Sequence, residues 1–203
     1  MSREIIAILR GVTPEEVTEI GAALIEEGID RIEVPMNSPQ PIVSVEKLAT
    51  AFGDQAITGA GTVLEPEQAR AVAGAGGRMV VSPDCNPAVI DVTKELGLLS
   101  FPGVATPSEC FTALRHGADG LKLFPAFLVG TEGLKAISAV LPSGTKTYAV
   151  GGVGPENFAD WAAAGVTGFG IGSGIYKPGF SPDQVCTRAR TIVAAYDTTM
   201  TGQ

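Results

Sequence analysis

The chain has 203 residues, of which 45% are hydrophobic and 18% charged, and this composition excludes a wholly disordered protein. Asp and Glu number 22 against 14 Lys and Arg, and the resulting formal net charge of −8 disfavours binding to nucleic acids or to anionic membrane surfaces. No stretch approaches the roughly 20 apolar residues that a membrane-spanning helix requires. The N-terminus is a poor match to a signal peptide, so we expect a cytoplasmic protein with reduced thiols. Its cysteines are Cys85, Cys110 and Cys186.

Short apolar runs rich in β-branched residues recur at intervals of about 20 to 26 residues and predict eight β-strands. In chain order these runs are residues 5–10, 31–36, 56–63, 78–83, 98–103, 120–125, 146–150 and 168–172. Because the runs are apolar throughout rather than alternating, we expect both faces of the sheet to be covered.

Segments of helical length lie between the strands, and their starts and ends are marked in the sequence. Residues 14–27 and 182–196 have apolar side chains at helical spacing. Capping boxes with proline at the first helical position occur at residues 13–16, 106–109 and 181–184. Glycines that follow helical segments predict left-handed C-terminal residues at Gly28, Gly76, Gly97, Gly117 and Gly165.

Eight strand–helix units predict a single-domain (β/α)₈ barrel, an α/β TIM barrel, over residues 1–203. A doubly wound open sheet uses the same alternation and is the alternative, although the count of eight favours the barrel. In such barrels the chemistry lies at the C-terminal ends of the strands, so polar residues there are the candidates for function.

Three charged residues lie in or at the ends of the apolar runs. Burial of Lys122 would lower the pKa of its ammonium group, and the neutral amine can form a Schiff base with a ketone. Glu33 is a candidate for proton transfer, and the guanidinium of Arg10 suits a carboxylate or a phosphate. The structural alternatives are a Lys122 paired with a carboxylate at a strand edge, and a Glu33 paired with Arg10 or Lys122.

Glycines and small polar residues follow several of the predicted strands. Backbone amides after the seventh and eighth strands are the expected phosphate cradle of a barrel, at Gly151, Gly152, Gly170, Gly172 and Ser173. The run at residues 59–62 ends the third strand, where glycine allows close approach of a ligand or simply a tight turn. After the second strand, Asn37, Ser38 and Gln40 could contact substrate hydroxyls, or Ser38 could cap the second helix. We expect His116 to carry a favourable charge at the C-terminal end of a helix and Trp161 to pack in the interior.

Six segments together resemble the 2-keto-3-deoxy-6-phosphogluconate and phosphogalactonate aldolases over roughly residues 5–176. They are residues 6–11 (IAILRG), 32–35 (IEVP), 59–63 (GAGTV), 101–103 (FPG), 121–125 (LKLFP) and 151–153 (GGV). Residues 35–39 (PMNSP) and Val150 resemble the phosphogalactonate branch, because the gluconate enzymes tend to carry Thr-x-Arg and Thr there. Without that arginine, Arg10 and backbone amides would carry more of the anion recognition.

The resemblance implies a class I aldolase that needs neither a metal nor a cofactor. Lys122 would form a Schiff base with the C2 ketone of a sugar-acid phosphate. Glu33, through a water, would remove the proton of the C4 hydroxyl and trigger cleavage between C3 and C4. The products would be glyceraldehyde 3-phosphate and, after hydrolysis of the enamine, pyruvate.

The resemblance also implies a homotrimer and a set of substrate contacts. Thr62 and nearby amides would hold the carboxylate, Gly152 and Ser173 the phosphate, and Arg10 one anion or the other. Further substrate-binding positions are Gly61, Pro83, Gly151 and Gly172, and the candidates for reading the C4 configuration are Asn37, Ser38 and Val150.

Three other functions remain open on sequence alone. The main substrate could be the phosphogluconate epimer rather than the phosphogalactonate. A phosphate-binding barrel isomerase or epimerase would use Glu33 as base and Lys122 only for electrostatic help. A sugar-phosphate sensor on the same scaffold would bind without turnover, since a fold alone does not establish activity.

Overall fold

The computed structural model describes residues 3–200, which form nine parallel strands and eight helices. The strands are β1 Ile5–Ile8, β2 Arg31–Pro35, β3 Ile57–Gly61, β4 Met79–Val81, β5 Leu99–Phe101, β6 Gly103–Val104, β7 Leu121–Leu123, β8 Thr147–Val150 and β9 Gly168–Ile171. The helices are α1 Val17–Glu26, α2 Pro41–Phe52, α3 Pro66–Gly74, α4 Pro87–Glu95, α5 Pro107–Arg115, α6 Ala126–Ser138, α7 Phe158–Ala163 and α8 Pro182–Met200.

The sheet has the strand order β5-β4-β3-β2-β1-β9-β8-β7-β6, and its two ends are neighbours in the chain. Only Pro102 separates β5 from β6, and a proline has no amide hydrogen to donate to a ladder. The predicted fifth strand is therefore divided, with β5 paired to β4 and β6 paired to β7. The result is a nearly closed barrel, which confirms the predicted (β/α)₈ class over the open sheet.

The predicted C-terminal glycines agree with the structure, whereas one predicted helix start is early and the helix predicted to end at residue 196 continues to Met200. The glycines at the predicted C-terminal positions all have φ between +73° and +88°. Helix α1 begins at Val17 rather than at residue 14, because the chain first forms a tighter turn in which the Glu16 amide bonds the Thr13 carbonyl. The capping boxes at Thr106 and Ser181 are confirmed, with the serine and threonine hydroxyls accepting from backbone amides three residues on.

Side chains alternate between the barrel interior and the layer beneath the helices. The outward positions form one large apolar core with the helices, whereas the interior holds a smaller cluster of Ile6, Met79, Val81, Phe101 and Tyr148. The rings of Phe101 and Tyr148 meet edge to face at 5.1 Å. The Tyr148 hydroxyl donates to Glu4 at 2.7 Å, at the N-terminal end of the barrel. This cluster fills the lower half of the barrel and leaves its upper half for a site.

No helix within residues 3–200 is long and apolar enough to cross a membrane. The three cysteines are free thiols. His116 ends α5, as expected, with its Nδ1 2.7 Å from a carboxylate oxygen of Asp91, and Trp161 is buried in the apolar core. Each of these residues therefore has a structural explanation.

Candidate active site

Two buried charged groups, Lys122 and Glu33, lie within strands β7 and β2. They are 5% and 1% exposed. Their chain neighbours occupy the outward positions and pack in the apolar core: Ile32, Val34, Leu121 and Leu123. Because successive side chains in a strand face opposite sides, both charged groups are directed into the barrel.

The Glu33 carboxyl lies in a site that favours its neutral form. Burial raises the pKa of Glu33 to about 7, against the opposing effects of the charges on Lys122 and Arg10 and of a hydrogen bond from the Gly61 amide. Its Oε2 atom has no hydrogen-bond partner among the described residues. A carboxyl group with a pKa near neutrality can both accept and return a proton.

The Lys122 amine is available as a nucleophile. Burial lowers its pKa from the ordinary value, the charge of Glu33 opposes this effect, and that of Arg10 reinforces it. Within residues 3–200, no carboxylate oxygen lies within 4.0 Å of Nζ, and β7 is flanked by β6 and β8. The structure thus places Lys122 neither at a strand edge nor in an ion pair. Instead Nζ lies 4.6 Å from the centroid of the Phe124 ring.

A pocket of about 490 Å³ opens above these groups at the C-terminal ends of β1, β7, β8 and β9. The expected residues that line it are Arg10, Lys122, Val150, Gly151, Gly152, Gly170, Gly172 and Ser173. A smaller cavity of about 10 Å³, roughly one water-sized sphere, lies deeper and is lined by Glu33, Lys122 and Val150 among others. The two cavities share Lys122 and Val150, so Glu33 lies below the pocket and Lys122 lies between them.

One wall of the pocket presents backbone amides without acceptors. In the part of the chain that the structure describes, the amides of Gly152, Val153, Ser173 and Gly174 donate to no protein acceptor. Residues 172–176 form a single turn in which the Gly172 carbonyl accepts from the amides of residues 175 and 176. Free amides at a helix-like N-terminus and at adjacent strand ends favour an anion such as phosphate.

The neighbouring wall, at the end of β1, carries Arg10, held by two neutral partners. Its Nη1 donates to Asn37 Oδ1 at 2.5 Å and its Nη2 to Thr62 Oγ1 at 3.5 Å. No ion pair joins Arg10 to Glu33 among the described residues, so that structural alternative is not observed. Thr62 has φ of +56°, which is strained for a β-branched residue, and such strain clusters at functional sites in proteins.

Five expected substrate-binding residues do not line the pocket: Asn37 and Thr62, which contact Arg10, and Ser38, Gly61 and Pro83. The Ser38 hydroxyl is buried and accepts a hydrogen bond from the Gly11 amide at 2.9 Å, so it does not cap α2, which begins after Gln40. Gly61 packs against the Glu33 carboxyl. Pro83 follows β4, and its carbonyl lies against Gly103. Substrate contacts by these residues stay predictions.

The lining residues that were not anticipated from the sequence include Phe124, Tyr176 and Lys177. Phe124 lies beside the Lys122 amine, and Tyr176 and Lys177 follow the turn after β9. The available signal was the tripeptide 176–178, a tyrosine, a lysine and a proline directly after the glycine-rich strand end. The described residues hold no cluster of three or more His, Cys, Asp or Glu arranged to bind a metal ion.

The model of the KDPG and KHG aldolase family matches residues 1–182. The chain belongs to this family. A Rhizobium meliloti (strain 1021) protein named "Probable 2-dehydro-3-deoxy-6-phosphogalactonate aldolase" is 48% identical over 203 residues, covering 100% of this chain and 96% of that protein. The "2-dehydro-3-deoxy-6-phosphogalactonate aldolase" of Escherichia coli (strain K12) is 45% identical, covering 95% of this chain and 94% of the relative.

Solved structures of KDPG and KDPGal proteins also superpose on this chain. A chain described as "Native KDPGal structure" superposes with a TM-score of 0.97 at 43% identity, covering 99% of this chain and 98% of that one. A protein cage "designed by fusing symmetric oligomeric domains" also gives 0.97 at 43% identity, covering 100% of this chain and 75% of that one. The Legionella pneumophila KDPG aldolase "with pyruvate captured at low pH as a covalent carbinolamine intermediate" gives 0.82 at 29% identity, covering 98% and 94%.

Proposed function

We propose that this protein is a class I aldolase that cleaves 2-dehydro-3-deoxy-6-phospho-D-galactonate to pyruvate and D-glyceraldehyde 3-phosphate. The observation that carries the proposal is a buried, unpaired Lys122 amine beside a buried Glu33, beneath a pocket with free amides on one wall. The names of the relatives at 48% and 45% identity support the substrate.

The reaction begins at Lys122. Its neutral amine attacks the C2 ketone and forms a carbinolamine, which loses water to give an iminium ion. The Legionella relative, captured as a carbinolamine with pyruvate, supports this step. Because burial lowers the pKa of Lys122, a larger share of the amine is neutral at physiological pH than for an exposed lysine.

Glu33 then acts as the base. It takes the C4 hydroxyl proton, through a water, and the C4–O electrons form the aldehyde as the C3–C4 bond breaks. The bond electrons move into the iminium, giving an enamine, and glyceraldehyde 3-phosphate leaves. Protonation at C3 and hydrolysis release pyruvate and restore Lys122. A pKa of about 7 allows Glu33 to donate as well as accept a proton in this sequence.

The two ends of the substrate bind different walls of the pocket. Arg10 and Thr62 hold the carboxylate, with the Thr62 amide, which has no acceptor within residues 3–200, as a further donor. The amides of Gly152 and Ser173 hold the phosphate together with those of Val153 and Gly174. This arrangement places the C2 ketone between the walls, above Lys122.

The configuration at C4 is read next to Val150, which lines both the pocket and the deeper cavity that contains Glu33. Asn37 contributes through Arg10. The competing substrate is the gluconate epimer, which differs in the direction of one hydroxyl. Release of pyruvate from each epimer, coupled to lactate dehydrogenase, tests the choice, and a strong preference for the gluconate epimer would overturn it.

The decisive test of mechanism is reduction with borohydride in the presence of pyruvate. We expect a stable adduct on Lys122 by peptide mass spectrometry, and we expect Lys122→Met to abolish cleavage while its circular dichroism stays that of the wild type. An isomerase or epimerase would turn over sugar phosphates without an adduct, and a sensor would bind them without turnover. Wild-type cleavage by Lys122→Met would refute the assignment.

We also propose a cytoplasmic homotrimer that acts in galactonate degradation. Phe127 and Leu128, at the start of α6, are 67% and 73% exposed, as suits an apolar subunit contact. The symmetric oligomeric domains of the cage protein support a symmetric oligomer. Light scattering on the eluted protein should give three times the chain mass of 20.8 kDa, and a Phe127→Asp, Leu128→Asp variant should lower it.

A further inference from the structure

The charges that line the pocket are all of one sign. Its walls contain the cationic side chains of Arg10, Lys122 and Lys177 and, among the residues described, no carboxylate. The chain as a whole has a net charge of −8, so this concentration of positive charge is local. A pocket of this kind favours a ligand that carries more than one negative charge.

Two of these cations already have a place in the proposed reaction. Lys122 is buried at the base of the pocket, where its amine reacts with the ketone. Arg10 is held at the carboxylate wall by Asn37 and Thr62. The wall of free amides around Ser173 therefore has hydrogen-bond donors but no cation assigned to it, although a phosphate is expected to be a dianion there.

Lys177 is the cation on that side of the pocket. It follows the turn at residues 172–176 and is exposed. Its ammonium group forms no hydrogen bond or ion pair with any residue from 3 to 200. The charge is thus available for a ligand rather than neutralised by the protein.

The backbone around Lys177 is anchored on both sides. Tyr176 is buried, and its hydroxyl donates to the Glu16 carboxylate. Pro178 packs closely against Gly11: a Cβ atom on Gly11 would lie 2.8 Å from the Cγ atom of Pro178. The Lys177 carbonyl accepts from the Phe180 amide at 3.0 Å. These contacts fix where the side chain starts while its ammonium group stays free to move.

We propose that Lys177 binds the phosphate group of the substrate and makes the enzyme selective for phosphorylated over unphosphorylated 2-keto-3-deoxy acids. This inference rests on the proposed function. The amides give the phosphate site its geometry, and the Lys177 ammonium gives it the compensating charge that neutral amides lack. Arg10 then binds the carboxylate, so each anionic group of the substrate has its own cationic partner.

The test compares Lys177→Met with the wild type on two substrates. For the phosphorylated acid, we expect KM to rise about tenfold or more with kcat within about threefold, as for the loss of one charge-assisted hydrogen bond. For the unphosphorylated 2-keto-3-deoxy acid, kcat/KM should stay within about twofold. Lys177→Arg should restore most of the affinity. Lys135→Met, which removes an exposed lysine paired with Glu132, is the matched control.

The outcomes separate this proposal from the one on which it rests. An unchanged KM in Lys177→Met, or an equal loss on both substrates, overturns the role of Lys177 and leaves the aldolase function intact. If the wild type releases no pyruvate from either epimer, the proposed function fails. Calorimetry with inorganic phosphate then decides the site: weaker binding by Lys177→Met than by Lys135→Met supports it, and equal binding overturns it.

Discussion

The carboxyl group of Glu33 occupies the space that a side chain on Gly61 would need. A Cβ atom at Gly61 would lie 2.1 Å from Glu33 Oε2, so only glycine at the end of β3 lets the carboxyl stay beneath the pocket. The contact links two neighbouring strands, β2 and β3. It explains why the second glycine of the GAGTV segment, Gly61, cannot carry a side chain.

Gly61→Ala should therefore displace Glu33 and lower kcat/KM by about 100-fold, as expected when a reacting group moves by about 1 Å. Pyruvate release measures this loss of activity. We expect the variant to retain borohydride trapping of pyruvate on Lys122. Gly74→Ala is the control, because a Cβ there meets nothing within 4 Å. Activity of Gly61→Ala close to that of Gly74→Ala would contradict the prediction.

The raised pKa of Glu33 predicts an effect on stability. Its pKa moves from 4.5 to about 7 on folding, so between these values the unfolded chain loses the proton while the native protein keeps it. The stability associated with this group is therefore full below pH 4.5 and is lost as the pH rises through 7. Glu33→Gln should gain stability relative to the wild type between pH 5 and pH 8, by at most about 3 kcal/mol.

Urea denaturation at the two pH values measures this difference. Glu132→Gln is the control, since Glu132 is exposed on α6 and its loss should leave the pH dependence as in the wild type. Parallel stability curves for Glu33→Gln and the wild type would show that Glu33 does not retain its proton in the native state.

The same group predicts the pH dependence of catalysis. Because the base must be ionised to accept a proton, kcat/KM for cleavage should rise with pH through about 7. Trapping of pyruvate requires Lys122 but not the base. In Glu33→Gln, the rate of trapping should therefore still depend on pH through the protonation of the Lys122 amine. A cleavage profile flat between pH 6 and 8 would argue against Glu33 as the base.

Arg10 and Asn37 should act as one unit. Their hydrogen bond at 2.5 Å holds the guanidinium at the pocket wall, and Asn37→Ala should raise KM by about fivefold, in the range of one hydrogen bond to a charged group. Arg10→Ala should raise it further. In the double variant the effects should not add, because Asn37 acts through Arg10. Additive effects on KM would mean that Asn37 contacts the substrate on its own.

Much of the fold could be predicted because each strand–helix unit repeats the same local signals. Lys122 and Glu33 could be singled out because each is a charged residue inside an apolar run, and alternation in the strands directs both inward. The division of the fifth strand was missed because the effect of Pro102 depends on which strands lie on its two sides.

Other features depend on contacts between distant loops, which local sequence does not encode. Ser38 resembles a helix cap, yet its hydroxyl bonds the Gly11 amide across two strand ends. Lys177 carries no motif of its own, and its place at the pocket follows from the contact between Pro178 and Gly11. The pairing of Arg10 with neutral partners rather than with Glu33 likewise required the three-dimensional arrangement.

Tyr148 and Phe101 fill the barrel below Lys122, and the pocket above it opens at the C-terminal ends of the strands. In the proposed reaction the pyruvate half of the substrate is bonded to Lys122 when the C3–C4 bond breaks, whereas the aldehyde is held by no covalent bond. The aldehyde would therefore depart before pyruvate, and in the reverse, carbon–carbon bond-forming direction pyruvate would bind first.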